Sequence, residues 1–151
     1  MSDTIARRAE DVESRTASIY PNEFQHVVKG RAKRALGDLF GLDQFGVNLT
    51  ELAPGAASAL RHWHSNEDEF VYVLAGELLL ITDNGEEVLG PGDCAGFKAG
   101  VANGHHLVNR SKAPASYLEI GSRMPGGEAF YPDNDLHIAK GIFTRKDGSP
   151  V

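Results

Sequence analysis

Residues 62–76 read HWHSNEDEFVYVLAG, which is two short runs of alternating side chains joined by a polar loop. In an extended strand, residues two positions apart point to the same side of the sheet. His62 and His64 therefore share one face, and Trp63 takes the other. After the loop, Glu69 is in phase with two valines, so the strand that it begins has an apolar face carrying one carboxylate. The stretch predicts two consecutive strands that bring ligand-type side chains together.

Short apolar runs separated by turn residues continue on both sides of this stretch. An alternating strand is predicted from Phe45, and Asn84-Gly85 predicts a tight hairpin because both residues tolerate positive φ. No long helical pattern separates the strands, which argues against βαβ units. The pattern is typical of an all-β sandwich or an antiparallel barrel. We predict one domain, made of an N-terminal extension (1–41), a barrel (42–122) and a C-terminal extension (123–151).

The size and charge of the chain narrow the functional classes. Its 151 residues, 41% hydrophobic and 24% charged, are typical of one globular domain with its own core. The net charge of −6 at pH 7 argues against nucleic-acid binding. One basic cluster is interpreted as a solvated loop or, alternatively, as a phosphate or partner contact. Its members are Lys29, Arg31, Lys33 and Arg34.

Two further features concern the compartment. No apolar stretch is long enough to span a membrane, and the first residues lack the apolar run of a signal peptide, so a cytoplasmic location is expected. Cys94 is the only cysteine, which excludes an intramolecular disulfide. Because Cys94 lies in an apolar segment, we predict a buried, inert thiol.

Four side chains have the chemistry of metal ligands. His62, His64, Glu69 and His105 come from three predicted strands, and each is in phase with inward apolar neighbours. Three imidazoles and one carboxylate that converge on one point are typical of a transition-metal site. Each residue alone also fits an ordinary role, as a hydrogen-bonded core histidine or a solvated acidic side chain. Their joint spacing favours the metal site.

Two segments resemble the motifs of the cupin family. The run from Gly55 to Gly76 resembles the first motif, which is Gly, a spacer, His-x-His, three or four residues, Glu, six residues and Gly; here four residues separate His64 from Glu69. Residues 92–109, GDCAGFKAGVANGHHLVN, resemble the second, which ends in His, three residues and Asn. The resemblance implies a double-stranded β-helix (jelly-roll) barrel. It also implies one divalent metal ion (Mn, Fe, Ni, Zn or Co) held by the three histidines and the glutamate named above.

The second motif departs from the family pattern at two points. Lys98 lies where the family usually has Pro, and the loop from Gly100 to His105 is two residues longer than usual. The insertion leaves His105 and His106 as alternative ligands. The spacing to Asn109 favours His105.

The flanking runs resemble a subgroup of small bacterial cupins, some of which are labelled sugar-phosphate isomerases. This resemblance implies an enzyme that acts on a small polar metabolite, such as a sugar phosphate, by Lewis-acid chemistry. Glu119 is the candidate general base. Lys98 and Arg110 are the candidate substrate-binding cations, with Arg61 and Arg123 also available. Two alternatives stay open: a metal-dependent dioxygenase, and a non-catalytic small-ligand-binding or sensor domain.

The strand that follows Glu69 also predicts an interface. Phe70, Tyr72 and Leu74 alternate with the inward residues and are expected on the opposite face. An apolar outer face needs cover, and a second subunit would provide it. We therefore predict a homodimer.

Overall fold

The computed structural model describes residues 5–151, and its regular secondary structure is almost entirely short strands, which confirms the all-β fold class. Helical segments in this range are brief: 3-10 helices at Ala9–Asp11 and Asn22–Val28, and one α-helical turn, α1, at Leu36–Leu39. None of them is long and apolar enough to cross a membrane. The strands of the described range are β1 (Ser14–Arg15), β2 (Arg31–Ala35), β3 (Phe45–Leu52), β4 (Trp63–His64), β5 (Glu69–Ala75), β6 (Leu78–Thr82), β7 (Gly85–Leu89), β8 (Cys94–Phe97), β9 (His106–Val108), β10 (Ala115–Ser122), β11 (Glu128–Phe130), β12 (His137–Ala139) and β13 (Ile142–Thr144).

Antiparallel pairing arranges these strands in three sheets within the described chain. The largest sheet has the order β1-β2-β3-β10-β5-β8, the second β13-β12-β11-β4 and the third β7-β6-β9. At its centre β3 and β10 pair along their whole length, from Leu52 opposite Ala115 to Phe45 opposite Ser122. The N-terminal strands therefore extend the large sheet, and the C-terminal strands pair with β4, which carries one of the predicted ligands.

The alternation predicted for β5 is present. Val71 and Val73 are buried, whereas Phe70, Tyr72 and Leu74 are each about two-fifths exposed on the other face. The buried face packs across to the third sheet, and removing this apolar surface from water favours the sandwich. The main core also contains Leu52, Leu78, Leu80, Leu89, Leu107 and Tyr117.

A second, smaller core joins the two ends of the chain beside the predicted ligands. Tyr20 packs edge-on against Tyr131, with ring centroids 6.1 Å apart. The backbone N–H of Leu60 donates to the Tyr20 hydroxyl at 3.1 Å. Leu136 is fully buried in the same cluster. Because Leu60 lies two residues before His62, this core fixes the segment that leads into the site.

Gly76, the last residue of the first motif, has both a conformational and a spatial requirement. Its φ is +79°, a region that side chains rarely adopt. A Cβ atom there would lie 2.6 Å from the carbonyl oxygen of Pro114. The close approach lets the turn after β5 pack against the start of β10. The predicted hairpin is also found, with Gly85 at φ +118° at the β6–β7 turn.

Two expectations about local structure are wrong. Cys94 is exposed rather than buried, because β8 is the outermost strand of the large sheet and that thiol lies at its edge. The strand predicted to carry both His62 and His64 is also shorter, since only Trp63 and His64 form β4. His62 instead forms an isolated bridge with His105.

Candidate metal centre

The side chains predicted as ligands meet at the carboxylate of Glu69. Oε1 of Glu69 lies 2.7 Å from Nε2 of His64 and 3.6 Å from Nε2 of His62. Its other oxygen, Oε2, is hydrogen-bonded to Nε2 of His105. One ligand atom from each of His62, His64 and Glu69 lies within 4.8 Å of the other two, close enough to share a metal ion. The structure therefore contains a candidate His-His-Glu metal site, with His105 in contact with it.

The side chains of the cluster come from two strands and from the bridge between His62 and His105. Glu69 begins β5, where it pairs with Gly121 of β10. His64 lies in β4, beside the C-terminal strands. The backbone N–H of His105 donates to the carbonyl of His62 at 2.9 Å, and the N–H of His62 donates back at 3.2 Å. This reciprocal bridge holds the two imidazoles side by side, with ring centroids 4.9 Å apart.

The ring of His62 is oriented by its second nitrogen. Nδ1 of His62 lies 2.7 Å from the carbonyl oxygen of Leu60. A carbonyl oxygen can only accept a hydrogen bond, so Nδ1 donates to it and Nε2 is the nitrogen that faces Glu69. Metal-binding histidines commonly have such a partner on the far nitrogen. The ring of His62 is thus oriented with Nε2 towards the cluster, where a metal ion would be bound.

His105 and His106 have different surroundings. The His105 ring stacks on Phe97, with centroids 3.6 Å apart and an interplanar angle of 5°. His106 turns the other way, and its Nδ1 donates to the carbonyl of Ala59 at 2.8 Å. Burial lowers the pKa of His106 and favours its neutral form. His105 is therefore the member of the pair that contacts Glu69.

Opposing effects set the charges at the cluster. Burial would raise the pKa of Glu69, but hydrogen bonds with His105, His62 and His64 outweigh it and hold that pKa far below its usual range. For His64, burial lowers the pKa, whereas the hydrogen bond and the charge of Glu69 raise it, and the net change is upward. Glu69 is thus a buried anion surrounded by imidazole nitrogens. This donor set fits a divalent transition metal.

The cluster forms part of the wall of a pocket of about 320 Å³. That volume is in the range of pockets that bind small molecules. The other polar side chains of the wall include Arg31, Lys33, Tyr117 and Glu119. A second pocket of about 210 Å³ touches the same cluster from the side of Trp63 and Lys98. The cluster is therefore accessible to a small ligand.

The predicted acid–base residue lies in the larger pocket. Glu119 is three-quarters buried, and its Oε2 lies 3.2 Å from Nζ of Lys33. Strand β10 places Glu119 two residues from Gly121, the partner of Glu69, so both carboxylates belong to the same face of the large sheet.

The cations predicted to bind substrate are spread more widely. Lys98 is three-quarters exposed, lines the second pocket and pairs with Asp68 at 3.1 Å. Arg110 pairs with Glu86 at 3.2 Å and lies on the wall of neither pocket in the described chain. Of the other two, Arg61 is engaged by Asp83 and Asp133, and Arg123 by Asp38.

Arg31 and Lys33 line the pocket although their sequence pattern did not predict it. Both belong to the basic cluster that was interpreted mainly as a solvated loop. The segment instead forms β2 and pairs with β3. The spacing of the two cations, two residues apart, indicates that they share one face of a strand. Which face they share depends on the position of β2 in the sheet.

Comparisons with known proteins agree with this geometry. A protein-family model described as a cupin domain matches residues 48–121. A crystal structure of a sugar phosphate isomerase of the cupin superfamily from Silicibacter pomeroyi DSS-3 is 49% identical, with a TM-score of 0.91 and coverage of 94% of this chain and 93% of that chain. A structure from Acidithiobacillus ferrooxidans ATCC 23270, described as “Putative sugar phosphate isomerase”, is 32% identical, with a TM-score of 0.71 and coverage of 76% and 74%.

Similarity extends to the fold of more distant proteins. A polyketide cyclase from Streptomyces resistomycificus is 22% identical, with a TM-score of 0.66 and coverage of 79% of both chains, and shares the fold. No curated protein matches the chain. The two motifs, the jelly-roll sheets and the 49% identical structure lead to one conclusion: the chain belongs to the cupin superfamily.

Proposed function

We propose that this cupin is a metal-dependent isomerase of a sugar phosphate, with one divalent ion held by His62, His64, Glu69 and His105. The observation that carries the proposal is the convergence of three imidazole Nε2 atoms on one buried, ionised carboxylate in the wall of a small-molecule pocket. The 49% identity to a cupin described as a sugar phosphate isomerase supports the substrate class.

The pocket offers the groups that an aldose–ketose isomerisation needs. A metal ion bound at the cluster supplies Lewis acidity towards the carbonyl and hydroxyl oxygens of the substrate. Glu119 accepts the proton from the carbon that bears the hydroxyl group and returns it to the neighbouring carbon. Nζ of Lys33 lies 3.2 Å from Oε2 of Glu119 and orients that carboxylate. The proton removed from C2 is added to C1, and the proton of the C2 hydroxyl passes to the carbonyl oxygen on C1, so the aldose and the ketose have the same atoms.

Elemental analysis and proton exchange test the proposal together. Protein purified without chelator or metal-affinity resin is expected to carry about one equivalent of metal, because the part of the chain that the structure describes has one candidate site. A His62→Ala/His64→Ala double variant is expected to fold and carry none. In D₂O, the metal-loaded parent should wash out the C2 proton of an aldose phosphate, followed by NMR. Glu119→Gln should keep the metal and lose the exchange.

The outcomes separate the alternatives. Oxygen consumption by an iron-loaded parent without proton exchange would replace the isomerase by a dioxygenase. Metal binding and ligand binding without turnover would leave a sensor domain. A parent that takes up no metal after reconstitution would overturn the proposal as a whole.

We also propose that the chain forms a homodimer. Support comes from the exposed apolar row of Phe70, Tyr72 and Leu74 on the outer face of β5. Contiguous exposed apolar surface of this kind is typical of protein interfaces.

A further inference from the structure

Two cations of the N-terminal extension face the proposed catalytic pocket. Arg31 and Lys33 are two residues apart on β2, and both line the pocket that contains the histidine cluster. Arg34 follows Lys33 directly and therefore belongs to the opposite face of β2. Its guanidinium donates to the carbonyl of Val12. Strand alternation thus gives β2 two pocket-facing cations and one that faces away.

The guanidinium of Arg31 has donors to spare. Its Nη1 donates to the carbonyl oxygen of Ser58 at 2.7 Å, which fixes the position of the group. In the part of the chain that the structure describes, no carboxylate forms an ion pair with Arg31. A guanidinium carries five N–H donors in a planar fork that matches the oxygens of a phosphate group. A fixed, partly buried arginine with free donors is a natural binding group for an oxyanion.

A buried hydroxyl in the same pocket also lacks a partner. Tyr117 is 1% exposed, and its hydroxyl has no hydrogen-bond partner among the described residues. Burial raises the pKa of Tyr117, so the hydroxyl keeps its proton. Buried polar groups are normally paired, and an unpaired one calls for an explanation. A ligand oxygen that accepts from this hydroxyl would supply the missing bond.

The charges of the pocket point to an anionic ligand. Arg31 and Lys33 balance the carboxylates of Glu69 and Glu119 within the same wall. A bound divalent ion would therefore leave its own charge uncompensated. The chain as a whole has a net charge of −6, so this positive site would be local. An oxyanion on the substrate would compensate it.

We propose that Arg31 and Lys33, with the Tyr117 hydroxyl, bind the phosphate group of the substrate while its carbonyl end faces the histidine cluster. This assignment rests on the proposed function and adds its phosphate subsite. It also gives the N-terminal extension a role in substrate recognition. Lys33 contacts Glu119 as well, so Arg31 is the cleaner position for a test.

Calorimetric titration of metal-loaded protein with ribose 5-phosphate and with ribose measures how much the phosphate group contributes to the binding affinity. The parent is expected to bind the ester more tightly by about tenfold or more, as charge-assisted hydrogen bonds imply. Arg31→Gln and Lys33→Gln should each reduce this preference by about tenfold. Arg31→Lys should keep part of it, because the charge remains while the planar fork is lost. Arg34→Gln, from the same strand but the other face, should keep all of it.

Measurements of metal content and of thermal unfolding establish whether each variant keeps the histidine cluster and the fold. If folded, metal-loaded Arg31→Gln and Lys33→Gln keep the full preference for the ester, the subsite is refuted even where isomerisation is observed. If the preference depends on Arg31 and no isomerisation occurs, the subsite stands and the proposed reaction falls. The two proposals therefore fail through different measurements.

Discussion

At the scale of single residues, the adjacent His105 and His106 provide a matched pair for mutation. His105 contacts Glu69, whereas His106 donates to the carbonyl of Ala59. We expect His105→Ala to weaken metal binding by at least about tenfold, because one ligand of a four-ligand set is lost. His106→Ala should bind metal as the parent does. Competition with a chromogenic chelator measures both affinities, and equal losses in the two variants would contradict the assignment of His105.

The charge balance of His64 and Glu69 predicts a pH effect in protein stripped of metal. The pKa of His64 is raised by Glu69 in the folded state, despite burial. A histidine with a raised folded pKa contributes stability below its unfolded pKa, which is about 6.5, and loses that contribution as the pH rises through the folded pKa. We expect the stability difference between the parent and His64→Gln to shrink from pH 6 to pH 8.

Denaturant unfolding at several pH values, in the presence of chelator, measures this difference. Metal affinity of the parent should change in the opposite direction and rise with pH, because the ion must displace the proton from His64. A stability difference that grows with pH would show that the imidazole gains no proton from its contact with Glu69.

At the scale of elements, one arginine ties together the segments that carry two candidate ligands. Nη1 of Arg61 donates to the carbonyl of Gly104 at 3.0 Å, and its Nε donates to Asp133 at 2.8 Å. A further ion pair with Asp83 reaches the β6–β7 hairpin. Since Arg61 precedes His62 and Gly104 precedes His105, these contacts of Arg61 lie directly beside the backbone bridge between His62 and His105.

Gly104→Ala tests how tightly these segments are packed. The added Cβ would lie 2.8 Å from Cγ of Pro132 and 3.0 Å from Nη1 of Arg61. Overpacking of this kind is expected to destabilise the fold by about 1–3 kcal/mol. Gly90→Ala is the control, because the nearest atom to its Cβ is Oδ2 of Asp93 at 3.9 Å. Urea unfolding that gives both variants the same midpoint would contradict tight packing at Gly104.

The elements also show how far local patterns reach. Alternation predicts the buried face of β5 and the position of the β6–β7 hairpin, because both depend on neighbours in sequence. The exposure of Cys94 and the pocket-facing position of Arg31 depend on which strands lie side by side, and residues distant in sequence decide that. The length of β4 depends in the same way on the bridge between His62 and His105.

At the scale of the whole molecule, the outer face of β5 predicts self-association. Phe70, Tyr72 and Leu74 are each about two-fifths exposed in the single chain. Sedimentation velocity at micromolar concentration is expected to give a dimer. Tyr72→Glu should shift the equilibrium towards monomer by placing a charge in the apolar row. Val88→Glu, an exposed position in another sheet, should not. A monomeric parent would rule out this interface.

The position of Trp63 determines what the intrinsic fluorescence of this protein reports. Trp63 is the single tryptophan of the chain, it lies between His62 and His64, and its ring stacks on Phe130 at a centroid distance of 4.3 Å. All indole fluorescence of this protein therefore originates next to the candidate metal centre and at the junction with the C-terminal strands. The fluorescence of Trp63 can therefore report metal occupancy of the centre and docking of the C-terminal strands without an added label.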